Sequence, residues 1–349
     1  MNRTVRISKN AAAAVALLIG STLIAGASIT HARAADTVVT ISVGDGPNDV
    51  ASDGLCVWVA NDSDGTVMQI DATTKAVIGL YSIGGQPNDI ASDGSFVWVT
   101  DYASNNVKQI SISGQTVVAT ITAGSMPDGV FSDGTYAWVA NSDDDTVSKI
   151  DIATSSVVAT ISVGSNPDEL VSDGTSVWVS NAGDDTVSQI DIASGTITRT
   201  IPVGASPDGV ALSAKWIWVA NEDDNSVTQI DAATGTVVAT IAVGKLPKDI
   251  AAYGDFAWVG NNDDNTVSMI DGNTSKVVNT YTVGNAPGSV AADAKNVWVA
   301  NYDDDTVTTF ANESLTLART GGNAVVIFGL GALMLVAGIV TRFNARRLS

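Results

Sequence analysis

The stretch DGVFSDGTYAWVANSDDDTVSKIDIATSSVVATIS, residues 128–162, alternates short runs rich in Val, Ile, Thr and Trp with clusters of Asp, Gly, Asn and Ser. Runs of this composition favour β-strands, and the clusters between them favour tight turns. The stretch contains no helical periodicity. It therefore predicts four antiparallel strands that follow one another as a meander.

The same pattern occurs seven times along the chain with a period of 40 residues. Each unit carries one tryptophan and one proline at fixed places: Trp58, Trp98, Trp138, Trp178, Trp218, Trp258 and Trp298, and Pro47, Pro87, Pro127, Pro167, Pro207, Pro247 and Pro287. Four strands in about 40 residues are typical of one blade of a β-propeller. The sequence thus predicts an all-β domain over residues 35–312, a seven-bladed β-propeller with four antiparallel strands per blade.

The two ends of the repeat array predict how the ring closes. The segment from Thr37 to Gly44 has the phase of a fourth strand, whereas the last unit loses that phase after Phe310. We expect the amino-terminal strand to complete the last blade, because a closed ring leaves no unpaired edge at the seam. The alternative is that the local segment SLTLA, residues 314–318, supplies this strand.

The units read "VWVAN…DTVSQID…TGTVVATI…VG..P", and they resemble YVTN-type β-propeller repeats of exported and surface proteins of bacteria and archaea. The resemblance covers roughly Thr37 to Phe310. Where that family often has Tyr-Val-Thr-Asn, this chain has Trp-Val-Ala-Asn in most units and WVTD in the second. The resemblance implies a seven-bladed propeller and no single activity, since the function of a propeller lies in its loops.

Residues that recur in every unit are expected to serve the scaffold. The tryptophans are suited to packing between adjacent blades. The Asp-Gly pairs that begin at Asp53, Asp93, Asp133 and Asp173 fit two-residue hairpin turns. A second set of acids ends the third strand, where a short carboxylate can accept bonds from the amides of the turn: Asp71, Asp151, Asp191, Asp231 and Asp271.

The first 34 residues have the features of a signal peptide. Basic residues precede an apolar run over residues 11–25, and the small residues ARA at 32–34 precede a predicted start of the mature chain at Ala35. The only histidine, His31, lies in this segment, and Cys56 is the only cysteine. The mature chain therefore lacks the imidazole on which Ser–His and most zinc chemistry depend.

The remaining chain is strongly acidic. Residues 36–313 hold all 37 Asp and Glu but only nine Lys and Arg, which leaves a net charge of −28. Such a field repels phosphate, so we expect no nucleic-acid partner. We also expect no enzymatic activity, although a pair of carboxylates can catalyse hydrolysis without histidine. A metal-dependent or carboxylate-dependent lactonase or glycosidase is the alternative.

The acids concentrate on one predicted face, which carries the loops that enter the first strands and the loops between second and third strands. Oxygen ligands without histidine suit calcium, so calcium is the one metal considered, and no other cofactor is predicted. Its candidate ligands stand where the first strands enter the channel: Asp49, Asp89, Asp128, Asp168, Asp208 and Asp249. No loop matches an EF-hand. Residues that depart from the repeat are candidates for contacting a ligand on this face: Tyr102, Glu169, Trp216, Lys245, Lys248 and Tyr302.

The segment 313–349 has three parts in a fixed order: LARTG at residues 317–321, an apolar run at 324–340, and a tail with Arg342, Arg346 and Arg347. This order resembles a cell-wall sorting signal of Gram-positive bacteria, in which a sortase joins the threonine to a wall amine. The motif residues are Leu317, Ala318, Arg319, Thr320 and Gly321. Ala318 replaces the common proline, and it fits the preference of class E sortases. A retained transmembrane helix is the alternative.

These observations predict an exported protein, anchored to cell-wall peptidoglycan by sortase. The predicted role is a binding module whose acidic face meets a protein, a glycan or a wall polymer. A structural coat protein is a further alternative.

Overall fold

The computed structural model describes residues 38–312, and these residues form 28 β-strands. The first strand, β1, is Val39–Ser42. Blade 1 contains β2 (Pro47–Ser52), β3 (Cys56–Asn61), β4 (Thr66–Asp71) and β5 (Val77–Ser82). Blade 2 contains β6 (Pro87–Ser92), β7 (Phe96–Asp101), β8 (Asn106–Ser111) and β9 (Thr116–Thr122). Blade 3 contains β10 (Pro127–Ser132), β11 (Tyr136–Asn141), β12 (Thr146–Asp151) and β13 (Ser156–Ser162).

The remaining blades follow the same plan. Blade 4 contains β14 (Pro167–Ser172), β15 (Ser176–Asn181), β16 (Thr186–Asp191) and β17 (Thr196–Pro202). Blade 5 contains β18 (Pro207–Leu212), β19 (Trp216–Asn221), β20 (Ser226–Asp231) and β21 (Thr236–Ala242). Blade 6 contains β22 (Pro247–Tyr253), β23 (Phe256–Asn261), β24 (Thr266–Asp271) and β25 (Lys276–Thr282). Blade 7 contains β26 (Pro287–Ala292), β27 (Asn296–Asn301) and β28 (Thr306–Ala311), joined by β1. Short 3₁₀ turns occupy Tyr102–Ser104, Ser142–Asp144, Asn262–Asp264 and Tyr302–Asp304.

The described residues form seven separate four-stranded antiparallel sheets, as predicted. In six sheets the strands lie in sequence order, and in the seventh the order is β1-β28-β27-β26. Strand β1 pairs antiparallel with β28, with Val39 opposite Thr309 and Ile41 opposite Val307. The prediction that the amino-terminal strand closes the last blade is confirmed. The alternative closing segment, residues 314–318, lies outside the described residues.

The seven repeated tryptophans are fully buried, with no side-chain surface exposed to solvent. Each packs against the second strand of the following blade. Trp58 shares a core cluster with Val97 and Val99, and Trp298 shares one with Val57 and Val59 across the seam. Replacing a buried tryptophan by alanine typically costs about 3–5 kcal/mol. Packing between blades, as predicted from the sequence, therefore holds the ring together.

The Asp-Gly turns differ from the prediction. The loop after β2 has three residues, 53–55, and only its glycine, Gly54, has a positive φ, of 82°. One oxygen of Asp53, Oδ1, accepts the backbone N–H groups of Leu55 (2.9 Å) and Cys56 (2.6 Å). The Asp53 carboxylate therefore stabilises the loop by accepting two of its backbone N–H groups.

The turns after the third strands match the prediction. Asp71 Oδ1 accepts the backbone N–H groups of Thr73 at 3.0 Å and Thr74 at 2.6 Å. The backbone bond from Thr74 is the main cause of a lowered pKa of Asp71, and the equivalent bonds lower the pKa values of Asp191 and Asp231. These carboxylates stabilise the turns in their charged form.

Within residues 38–312, no helix is long and apolar enough to cross a membrane. The predicted signal peptide, sorting motif and apolar run at 324–340 all lie outside the described residues.

Candidate functional site

The first strands of the blades bring polar residues together around the central channel. Each strand begins with the repeated proline, and the next two residues form two rings at the channel mouth. The first ring consists of Asn48, Asn88, Asp128, Asp168, Asp208, Lys248 and Gly288. The second ring consists of Asp49, Asp89, Gly129, Glu169, Gly209, Asp249 and Ser289. All six predicted calcium ligands belong to these rings.

Neighbouring blades are linked through first-ring side chains. The Asn48 side-chain amide donates to Asn88 Oδ1 at 2.8 Å, and the Asn88 amide donates to Asp128. Lys248 Nζ lies 3.8 Å from Asp208 Oδ2 and 3.5 Å from Glu222 Oε1. Around the first ring, two asparagine amides are thus followed by three aspartate carboxylates and then by the single ammonium group of Lys248.

Second-ring side chains bond the backbone of the next blade. Asp49 accepts the Ile90 N–H at 2.8 Å, and Asp249 accepts the Val290 N–H at 2.7 Å. Two further bonds of this kind run from Val130 N to Asp89 and from Val50 N to Ser289, the latter at 3.2 Å. These carboxylates therefore have a structural role, because each satisfies a buried amide of a neighbouring blade.

In blades 3 and 5 the second-ring residue is a glycine, so no second-ring side chain bonds the backbone of the next blade. A Cβ atom on Gly129 would lie 2.4 Å from the Asp168 carbonyl oxygen, and one on Gly209 would lie 2.7 Å from Asp249 Cα. Hydroxyl groups of the preceding blades also bond the first strands of blades 3 and 5. Thr100 Oγ1 donates to the Asp128 carbonyl at 2.7 Å, and Ser180 Oγ donates to the Asp208 carbonyl at 2.6 Å. The first strands of these blades come too close for a second-ring side chain.

Burial changes the acidity of the ring carboxyls. It raises the pKa of Asp128 to about 7, with a further upward contribution from Asp208. It also raises the pKa of Asp249 to about 7, to which the charge of Asp49 adds. Burial raises the pKa of Asp208 to about 6, although the Lys248 ammonium pulls it downward. These groups exchange protons near neutral pH, where ordinary aspartates are fully charged.

Three other ring carboxyls, Asp89, Asp168 and Glu169, have pKa values well above the usual range. Burial is the main cause in each case, and nearby negative charges add to it. For Glu169 those charges are Asp249 and Asp49, which belong to blades 6 and 1. Negative charges on the far side of the channel therefore contribute to the raised pKa of Glu169.

Most acids that lie on this face outside the rings accept hydrogen bonds from the backbone. Asp144 and its equivalents accept a backbone N–H of the preceding loop, as in Ser125 N to Asp144 at 2.7 Å. Asp145 and its equivalents accept one from the next blade, as in Asn166 N to Asp145 at 2.9 Å. In the described part of the chain, four exposed loop-tip acids have carboxylates that accept no hydrogen bond, namely Asp143, Asp223, Asp263 and Asp303.

The six residues predicted to contact a ligand do not all lie at the same end of the blades. Tyr102 lies near Asp128 and Asp143, whose charges add to burial in raising its pKa. Tyr302 Oη donates to Asp62 at 3.4 Å, and Lys245 is exposed beside Asp264, which accepts its backbone N–H. Glu169 and Lys248 lie in the rings. These five share the acidic face.

Trp216 does not lie on that face. It begins β19 at the opposite end of blade 5, where it is 6% exposed. Gly272 of blade 6 makes room for it, because a Cβ there would lie 2.7 Å from the indole. Trp216 and Gly272 depart from the repeat together, and their pairing was missed from the sequence although both departures are visible in it.

The calcium hypothesis gains no support from the arrangement of the rings. Among residues 38–312, no group of three or more His, Cys, Asp or Glu side chains is placed to hold a metal ion. The second-ring aspartates instead accept backbone N–H groups. Sequence reasoning also missed Glu222, which extends the Lys248 network. It stands at a position that differs among the blades, where the others have Asp62, Tyr102, Ser142, Ala182, Asn262 and Tyr302.

Comparisons with known proteins agree on the fold. No protein-family model matches the chain, and a search of curated proteins finds no match. Among solved structures, hydrazine synthase of Kuenenia stuttgartiensis is similar with a TM-score of 0.70 and 23% identity, covering 82% of this chain and 98% of that chain. A streptogramin B lyase has a TM-score of 0.70 and 14% identity, covering 79% of this chain and 97% of its own.

A catalytically inactive virginiamycin B lyase from Staphylococcus aureus, solved with quinupristin, is also similar, with a TM-score of 0.70, 16% identity, and coverage of 79% of this chain and 99% of that one. Likeness at these identities establishes the fold alone. The protein is a seven-bladed β-propeller with a carboxyl-lined channel mouth.

The ring carboxyls predict an unusual dependence of stability on pH. A carboxyl whose pKa is raised by folding favours the folded state when protonated, so its contribution is lost as pH rises through the folded pKa. For Asp128 and Asp249 that loss falls between pH 4 and about 7. The turn carboxylates Asp71 and Asp191 have lowered pKa values, so their contribution is lost only below pH 4. We expect maximal stability in mildly acid solution.

Thermal unfolding between pH 4 and 8 tests this, and we expect Tm to fall by at least ~3 °C from pH 5 to 8. Asp128→Asn, which copies the asparagines of blades 1 and 2, should flatten the profile. Asp143→Asn, at an exposed loop tip, should leave it unchanged. A Tm that rises steadily to pH 8 would contradict the ring titration.

Proposed function

We propose that this propeller is a binding module whose acidic face receives a positively charged partner, such as a basic segment of a protein. The observation that carries the proposal is the set of exposed loop-tip acids on several blades, Asp143, Asp223, Asp263 and Asp303, which the fold does not use for hydrogen bonds. The acids with structural roles add to the same negative field. Lys248 is already paired with Asp208 and Glu222.

Several features support a charged rather than an apolar partner. The tips form a negative rim around a channel mouth that is itself lined by carboxyls. A surface of one sign accelerates encounter with the opposite sign and suppresses binding of like charges. The aromatic residues Tyr102 and Tyr302 stand among these acids and could contact the aliphatic stems of lysine or arginine. We place the chain among YVTN-type repeat proteins as part of the same proposal.

A carboxylate-dependent hydrolase is the second candidate, and one observation favours it. Carboxyls with pKa values of about 6 and 7 stand close to others of the ring, which is a pattern suited to acid–base catalysis. Two of the similar structures are lyases, which is compatible with an enzyme, but that activity belongs to those proteins. Burial raises the pKa of the Cys56 thiol, which disfavours a thiolate nucleophile.

Binding of a penta-lysine peptide to the purified protein tests the charged-partner proposal. We expect affinity to fall with added salt and to weaken roughly two- to fivefold for each neutralised tip acid, as in Asp263→Asn. Asp255→Asn, in the same blade but on the opposite face, is the matched control and should have no effect. Binding that is absent at low salt, or equally weakened by both variants, would argue against the acidic face and leave the coat-protein alternative.

We further propose that the chain is exported and joined to cell-wall peptidoglycan by a sortase of class E acting between Thr320 and Gly321. The support is the order of motif, apolar run and basic tail in residues 317–349. The acidic face would then be displayed outside the cell, where a basic partner could reach it.

The mass of the carboxyl-terminal peptide, taken from protein released by a wall-digesting enzyme, tests the anchoring. We expect a peptide that ends at Thr320 and carries a wall fragment. An intact tail through Ser349 in the membrane fraction would replace sortase anchoring by a retained helix. Thr320→Ala should prevent the linkage, whereas Thr316→Ala, just outside the motif, should not.

A further inference from the structure

The gap between the outer strands of blades 7 and 1 lies at the seam of the ring. On one side is β1, the fourth strand of blade 7, and on the other side are β4 and β5 of blade 1. Val39 of β1 and Met68 of β4 pack from the two sides against one core cluster, to which Trp298 belongs. The gap bounded by Val39, Met68, Ile78 and Leu80 is called the seam groove below.

The wall that blade 1 contributes to the seam groove is apolar and open to solvent. Leu80 of β5 lies opposite Met68 of β4, so the two side chains share one face of the sheet. Ile78 precedes Leu80 by two residues in the strand and points to the same face. The side chain of Ile78 is 52% exposed and that of Leu80 is 60% exposed. Contiguous exposed apolar side chains of this kind mark a contact surface.

Three side chains of the seam groove depart from the repeat. At the position of Met68 the other blades have polar residues, namely Lys108, Ser148, Ser188, Thr228, Ser268 and Thr308. At the position of Leu80 they all have threonine, namely Thr40, Thr120, Thr160, Thr200, Thr240 and Thr280. At the position of Val39 they have Gly79, Ala119, Ala159, Arg199, Ala239 and Asn279. Within residues 38–312, this is the gap in which larger apolar side chains occupy both walls.

The described part of the chain ends beside the seam groove. Asn312 follows β28 in blade 7, where its backbone N–H donates to the Lys295 carbonyl at 2.8 Å and its side-chain amide donates to the Asp293 carbonyl at 2.6 Å. The hairpin between β4 and β5 of blade 1 reaches the same blade, with Lys75 Nζ 3.8 Å from the centroid of the Trp298 ring. The chain therefore leaves blade 7 on the face opposite the acidic face, next to the hairpin that leads into β5.

The residues that follow have a composition that suits the seam groove. Residues 314–318, SLTLA, contain two leucines two positions apart and no charged residue. Alternate side chains of an extended segment point to one side, so both leucines can face the same wall. Leu315 and Leu317 can lie at most ~10 Å and ~17 Å from Asn312 along the chain, and packed sheets are about 10 Å apart. A tethered segment also has an effective concentration that favours it over a second copy or a free partner.

We propose that residues 314–318, which lie outside the described residues, pack as an extended segment in the seam groove. Their two leucines cover the exposed side chains of Ile78 and Leu80. Strand β1 holds the place that this segment would otherwise take in blade 7. Because Leu317 is also the first residue of the LARTG motif, the contact limits the access of an enzyme to that motif. This consequence rests on the proposed sortase anchoring, whereas the contact itself does not.

Trypsin cleavage after Arg319, inside the motif, measures the contact in the intact 349-residue chain without a sortase. Cleavage follows the population in which the segment has left the groove, when opening and closing are faster than cutting. Leu80→Thr copies the other blades and removes an apolar contact, so we expect the cleavage rate at Arg319 to rise about fivefold or more. Leu315→Ser, outside the motif, should have the same effect. The two effects should not add in the double variant, because both remove one contact.

A matched variant controls for changes on the outer strands. Val158 is 54% exposed at the position of Ile78 in blade 3, and blade 5 has Thr198 there. Val158→Thr should therefore leave the cleavage rate unchanged. Thermal unfolding of each variant identifies a loss of stability as the cause of faster cleavage. If Leu80→Thr lowers Tm, Leu315→Ser keeps the test valid, because it lies outside the propeller.

Two results would overturn the proposal. One is an equal cleavage rate at Arg319 in the unmodified chain, Leu80→Thr and Leu315→Ser. The other is a concentration-dependent dimer that Leu80→Thr abolishes and Leu315→Ser does not affect, which would place a second copy in the seam groove. If the carboxyl-terminal peptide shows no wall linkage at Thr320, the anchoring proposal fails while the trypsin result stands, so the two failures are distinguishable.

Discussion

The burial of one tryptophan between each pair of neighbouring blades is the constraint on which the rest of the structure depends. A blade cannot cover its own tryptophan, because the residues that pack on Trp58 come from blade 2 and those that pack on Trp298 come from blade 1. The array therefore gains its full core only as a closed ring. Strand β1 provides the closure by adding the fourth strand to a blade whose other three strands come from the end of the array.

Ring closure also creates the channel, and the channel is where the repeats differ from one another. Second-ring aspartates bond the next blade in some places, whereas glycine permits direct backbone approach in others. The carboxyls that result are crowded and partly buried, which raises the pKa values of Asp128 and Asp249. A scaffold built from nearly identical units thus acquires an asymmetric polar centre through a small number of changes at two positions.

Sequence reasoning succeeded where a residue serves every repeat alike. The 40-residue period of Trp58 and its equivalents predicted the number of blades, the strand count and the seam, because these depend on local composition and on closure. The same reasoning missed contacts between blades. The fit of Trp216 to Gly272 and the replacement of Asp89-type contacts by Gly129 depend on distances across the ring, which a period does not encode. The hairpin length was wrong because Asp53 was assigned to the turn by composition, whereas its carboxylate closes a three-residue loop.

The two faces of the propeller carry different groups: carboxyls and loop-tip acids at one end, and aspartate-closed hairpins beside the buried tryptophans at the other. Both depend on the ring being closed by β1. Native-state hydrogen exchange of the backbone amides in β1 and β28, compared with those in β15 of blade 4, tests this closure most directly. The account predicts exchange at the same slow, global rate in all three strands, because the seam opens only when the ring unfolds. Rapid exchange in β1 and β28, with β15 still protected, would show that the ring is stable without its amino-terminal strand and would contradict the account.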